Sequence, residues 1–85
     1  MRLLRTERFK KDFQHLPTEL QERAANVLER FVTNPRHPSL QVKKMEGAPG
    51  IWELRVSDNY RVTFQRFPGG VLLRRIGTHN ILRQP

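Results

Sequence analysis

The sequence predicts an α+β fold of order β-α-α-β-β-β, an antiparallel sheet with two N-terminal helices packed on one face. Three observations predict it. Apolar residues recur at helical spacing from Phe9 to Phe31, and from Ile51 onward the period changes to two. The turn-forming stretches "SDN" and "PGG" divide the second half into three short runs, as a meander requires. Finally, 85 residues of which 36% are hydrophobic can close one thin core and no second one, so residues 1–85 form a single domain.

Each element follows from its residues. "MRLLRT" reads as a short first strand, and Thr6 then caps a helix whose apolar face is Phe9, Phe13 and Leu16. Pro17 closes it. Thr18 is the expected N-cap of the second helix, with Glu19 and Glu22 near its positive dipole end and Leu20, Ala24, Val27, Leu28 and Phe31 on one face. The prolines of "TNPRHP" stop it. "SLQVKKMEGAPG" reads as a loop with a brief strand around residues 40–44. In "WELRV", Trp52, Leu54 and Val56 face the helices while Glu53 and Arg55 face outward. "YRVTFQRF" repeats the pattern, with Tyr60, Val62 and Phe64 inward and Arg61, Thr63 and Gln65 outward. "VLLRRI" alternates less cleanly, as a central or strongly twisted strand does. That strand is expected to break at Gly77 and turn His79 toward the arginine-bearing face.

Composition excludes several classes. Without cysteine there is neither a disulfide framework nor a thiolate metal site, which fits a reducing cytoplasm. "MRLLRTERFKK" lacks the apolar centre of a signal peptide, and no run approaches membrane-span length. His15, His37 and His79 stand far apart without metal-ligand spacing. No phosphate-binding glycine loop, dinucleotide fingerprint or nucleophile elbow is present, so no metal and no cofactor is expected.

The net charge of +8 points to an anionic partner. It is unevenly spread: residues 1–16 carry +3, residues 17–34 carry −1 and residues 35–85 carry +6. The outward sheet face therefore gathers Arg55 and Arg61, whose guanidinium forks match phosphoryl oxygens. Some of Arg74, Arg75 and Lys43 are expected on that face too, and with Lys44 they are candidates for nucleic-acid contact, although a pair such as Lys43 and Lys44 in a loop is more often simply solvated. His79, beside these arginines, can give or take a proton near neutral pH. Glu46 and Glu53 are the only carboxylates near this face; either can serve as a base, Glu53 can also pair with Arg55 or Arg61, and Glu46 can be a plain loop residue.

"KKMEGAPGIWELRV", "NYRVTF" and "LLRRIGTHNIL" resemble the RelE/ParE superfamily of bacterial toxins from type II toxin–antitoxin modules, over essentially the whole chain. The "IGTH" ending resembles that of the RelE-like messenger-RNA nucleases. The resemblance implies a toxin that enters the ribosomal A site and cuts messenger RNA without a metal. A ribose 2′-oxygen attacks the adjacent phosphorus, leaving a 2′,3′-cyclic phosphate and a free 5′-hydroxyl. Carried over, Arg61 of "YR" matches the phosphate-binding arginine, Arg55 a basic residue on the preceding strand, and His79 the terminal histidine. The base stays open, because family members place differing polar groups in the loop before Trp52; Glu46 occupies that loop. An antitoxin protein, acidic where it wraps the basic face, is the expected partner. Two alternatives share the pattern: a ParE-like inhibitor of gyrase without nuclease activity, and a nucleic-acid-binding module without toxicity.

Overall fold

Thr6 shows how the chain turns from strand to helix. Its backbone is extended, its Oγ1 accepts from the Phe9 amide at 3.0 Å, and the same hydroxyl donates to the Arg74 carbonyl at 2.8 Å. One side chain thus caps the first helix and ties it to the last strand. A computed structural model describes residues 1–85, with β1 (Arg2–Arg5), α1 (Glu7–Gln14), α2 (Thr18–Thr33), β2 (Val42–Lys44), β3 (Trp52–Arg55), β4 (Tyr60–Phe67), β5 (Gly70–Thr78) and a terminal 3₁₀ helix (His79–Arg83). No helix is long and apolar enough to cross a membrane.

The cap of α2 lies one residue earlier than expected. Pro17 takes the N-cap position and its carbonyl accepts from the Leu20 and Gln21 amides at 2.9 and 3.0 Å, while Thr18 is already helical. Proline's fixed φ suits a helix entry, so no side-chain cap is needed. Gln21 Nε2 donates to the Phe13 carbonyl at 2.9 Å and joins the two helices.

The strands form one sheet of order β1-β5-β4-β3-β2. Neighbours from β2 to β5 are antiparallel, but β1 pairs parallel with β5, Leu3 opposite Val71, so the sheet is mixed and not antiparallel throughout. The meander leaves the outer edge of β5 open, and β1 reaches it by a long crossover, as parallel neighbours must. The helices lie on one face. Phe9, Ala24, Leu28 and Phe31 pack with Leu54, Val62, Phe64, Val71, Leu73 and Ile76, and the Phe31 and Phe64 rings sit 5.2 Å apart. Each such large side chain contributes about 1.5–3 kcal/mol on burial. Trp52, expected in this core, is half-buried: it stacks on Phe64, with the Arg66 guanidinium 4.4 Å from its ring.

Irregular alternation in "VLLRRI" has a specific cause. Phe64 pairs with Leu73 but Thr63 with Arg75, so Arg74 is an extra residue on β5. This bulge lets Leu73 and Ile76 both point into the core with two arginines between them.

The opposite face of the sheet, expected to be open, is partly covered. Glu53 and Thr63 are buried, and the terminal 3₁₀ helix packs against β4 and β5 through the buried Ile81. Nor does β5 break at Gly77: it runs through Thr78. Gly77 instead makes a notch for Ile81, because a Cβ there would lie 2.8 Å from Ile81 Cγ2.

Candidate functional site

Arg55 and Arg61 are direct cross-strand partners, and one register step away Lys43, Glu53 and Thr63 form a second row across β2, β3 and β4. Period-two geometry puts both rows on the face away from the helices. Two guanidinium groups directly opposite repel each other. The turn between them absorbs the repulsion: Arg61 Nη1 donates to the carbonyls of Ser57, Asp58 and Tyr60 at 2.6, 3.2 and 3.0 Å. Arg55 donates through Nη2 to the Asp58 carboxylate and through Nη1 to Gln41 Oε1 at 3.1 Å.

Glu53 lies between two cations. Its Oε1 is 3.7 Å from Arg61 Nε and 3.9 Å from Lys43 Nζ, and its side chain is 11% exposed. These distances are ion-pair contacts without tight hydrogen bonds, so the carboxylate keeps accepting capacity for a hydroxyl. Gln41, Val42, Lys43, Glu53, Arg55 and Arg61 enclose a cavity of about 260 Å³. That is below the range typical of drug-sized ligands and suits a single phosphodiester group. Next to Glu53 in the row, Thr63 has a buried Oγ1 without a hydrogen-bond partner.

His79 opens the terminal 3₁₀ helix, one residue beyond the Tyr60–Thr78 pair and two beyond the Arg61–Gly77 pair. It is exposed and belongs to the same end of the sheet as Arg61. Ile81, seated in the Gly77 notch, fixes where this short helix begins.

Of the residues singled out in the sequence, Arg55, Arg61 and Lys43 line one cavity and His79 borders the same sheet end. The others lie elsewhere. Glu46 is exposed in the β2–β3 turn, beyond the Lys44–Trp52 pair at the opposite end of the hairpin from Arg55. The three residue-to-residue steps from Trp52 to Arg55 alone span about 10 Å at strand rise. Lys44 belongs to the helix-side row and stands 5.3 Å from the Trp52 ring. Arg74 is engaged by Gln65 Oε1 at 2.6 Å and the Pro85 carbonyl at 2.9 Å. Arg75 is held bidentately by Asp12 of α1 at 2.9 and 3.0 Å, and this hydrogen bonding raises its pKa above the ordinary guanidine value against the opposing effect of burial. Glu53 and Gln41 complete the cavity. Alternation alone placed Glu53 on the arginine face, whereas Gln41 had no signal before the β2 register was known.

No three His, Cys, Asp or Glu side chains gather in a geometry able to hold a metal ion. No protein-family model and no curated protein sequence matches the chain. Solved structures do. The chain is similar to the Methanococcus jannaschii RelB–RelE antitoxin–toxin complex, with TM-score 0.77 at 21% identity over 95% of both chains. It is similar to YafQ from Escherichia coli, with TM-score 0.78 at 13% identity over 95% of this chain and 96% of that one. The intact Escherichia coli RelBE toxin–antitoxin complex matches with TM-score 0.70 at 23% identity over 89% and 93%.

Proposed function

From a fold shared with RelE-like toxins, we propose that the protein is the toxin of a type II toxin–antitoxin pair: a ribosome-dependent, metal-independent messenger-RNA endoribonuclease that inhibits translation in the cytoplasm. The observation that carries this reading is the Glu53 carboxylate set between Arg61 and Lys43 in a cavity the size of one phosphodiester.

The chemistry follows from those groups. Glu53 accepts the proton of a ribose 2′-hydroxyl as its oxygen attacks phosphorus. Arg61, Lys43 and Arg55 stabilise the charge that develops on the phosphorane oxygens. Arg61 Nη2 makes no hydrogen bond within the protein, and Arg55 can exchange Asp58 for a phosphoryl oxygen, since that carboxylate is 91% exposed. As the bond from phosphorus to the 5′-oxygen breaks, His79 delivers a proton to that oxygen. The products are a 2′,3′-cyclic phosphate and a 5′-hydroxyl. A carboxylate is a modest base for a ribose hydroxyl, so the rate rests on holding the 2′-oxygen in line with the leaving group. The ribosomal A site supplies that alignment.

Support for an antitoxin partner comes from the likeness to toxins solved with RelB and from the net charge of +8, which suits an acidic segment. Expressing the chain without a partner, mapping messenger 5′-ends and scoring growth tests the reading. Arrest with new 5′-hydroxyl ends, both abolished in Arg61→Ala and His79→Ala, is the expected result. Arrest with intact messengers and DNA-damage signalling would contradict it and favour the gyrase-inhibiting alternative.

A further inference from the structure

The cavity at Arg61 borders a second, larger one. Gln41 and Arg55 belong to the walls of both, and beyond them a cleft of about 400 Å³ runs between α2 and the β3–β4 turn. Its helical wall is Arg23, Asn26, Val27 and Arg30, spaced i, i+3, i+4 and i+7 and therefore one stripe of α2. Arg23 Nε donates to the Val56 carbonyl at 3.1 Å, which sets the helix against β3 and leaves both terminal nitrogens of that guanidinium without a protein partner. Arg30 Nη1 donates to Ser39 Oγ at 3.2 Å at an exposed position.

Charge in the two cavities is lopsided. Five cations, Arg23, Arg30, Arg55, Lys43 and Arg61, face two carboxylates, Glu53 and Asp58, each already opposite an arginine. Only three of the eleven residues lining the larger cleft are hydrophobic, which is poor anchorage for a protein segment and suitable for a sugar-phosphate chain. Past Asn26 and Arg30 the cleft borders a further depression lined by Glu29, Thr33, Asn34 and His37, where Glu29 ends the run of cations.

We infer that this cleft seats the nucleotide adjoining the scissile linkage of a single-stranded RNA. Arg30 and Arg23 take its phosphate, Asn26 and Gln41 face its sugar and base, and Arg55 lies between the two successive phosphates. The inference rests on the nuclease reading, because it continues the strand from the Arg61 cavity. It adds a binding subsite on α2 that the catalytic chemistry does not require.

The test uses a short single-stranded oligoribonucleotide, methylated at each 2′-oxygen so that it cannot be cut, and measures its dissociation constant over a series of salt concentrations. The proteins compared are the full chain, Arg30→Gln, Asn26→Ala, Arg61→Gln, and Arg2→Gln on the far sheet edge as a charge control. Arg30→Gln is expected to weaken binding about tenfold and to lower the slope of log affinity against log salt by about 0.7, the loss of one phosphate contact. Asn26→Ala is expected to weaken binding several-fold with the slope unchanged. If Arg61→Gln weakens binding while Arg30→Gln matches Arg2→Gln, the subsite is wrong and the nuclease site stands. If Arg30→Gln acts but Asn26→Ala does not, the cleft contributes only field and seats no nucleotide. No binding by the full chain overturns the inference together with the RNA reading.

Discussion

Arg55 and Arg61 oppose each other across a hairpin, an arrangement that costs stability unless each guanidinium has somewhere to go. The carbonyls of the Ser57–Tyr60 turn and the Asp58 carboxylate meet that need, and the same bonds hold both groups at the cavity with donors to spare. His79 is exposed and makes no hydrogen bond within the protein, so its ring nitrogens are available to a substrate. If it is the general acid, His79→Ala should slow cleavage by about 10²–10⁴. A substrate carrying sulfur in place of the scissile 5′-oxygen should restore most of the rate, because thiolate leaves without a proton. A variant equally slow on both substrates would assign His79 to binding instead. Much of this was legible in the sequence: period two places Glu53, Arg55 and Arg61 on one face. What it hid is which end of a hairpin a residue occupies. Glu46 lies six residues before Trp52 in sequence, yet the turn carries it away from the arginines, while Glu53, readable as a mere ion-pair partner, stays among them.

At the scale of elements, the end of β5 is held by two contacts that the period could not reveal. Where β1 stops at Arg5, α1 takes over the edge: Asp12 accepts from Arg75 and from the Ile76 amide at 3.2 Å. Both side chains are largely buried, so Asp12→Ala leaves a guanidinium and an amide without partners and should cost about 2–4 kcal/mol in denaturant unfolding. Glu7→Ala, which removes an exposed pair with Lys10, should cost under about 1 kcal/mol. Equal effects would show that Asp12 carries no structural load. The raised pKa of Arg75 means that its part of this stability is present at every pH below the guanidine range and lost only as pH rises through it, so it adds no pH dependence near neutrality. The second contact is Ile81 in the Gly77 notch. Gly77→Ala overpacks it, at about 1–3 kcal/mol and roughly 5–15 °C in melting temperature. Adding Ile81→Leu, which removes the clashing methyl, should recover part of the loss. No recovery would mean that the notch does not position the terminal helix. A rule of alternation misses such features because the Arg74 bulge and the tail's return both depend on contacts distant in sequence.

Across the whole molecule, fold class and helix positions were readable because they rest on period and punctuation. The parallel β1–β5 pairing was not, since four residues of edge strand carry no directional signal. Part of the charge of +8 gathers in one place: a run of cations leads from α2 across Arg55 to Arg61, while Arg74 and Arg75 are engaged internally. In the proposed reaction, one end of the central hairpin cuts RNA with Glu53 as its base. Single-turnover cleavage of messenger on programmed ribosomes, with end-group analysis, is the decisive measurement. The full chain is expected to leave 2′,3′-cyclic phosphate ends, Glu53→Gln to lose at least about 10²-fold while still folded at the assay temperature, and Glu46→Gln to keep full activity. Full activity in Glu53→Gln, or no cleavage by the unmodified chain, would contradict it.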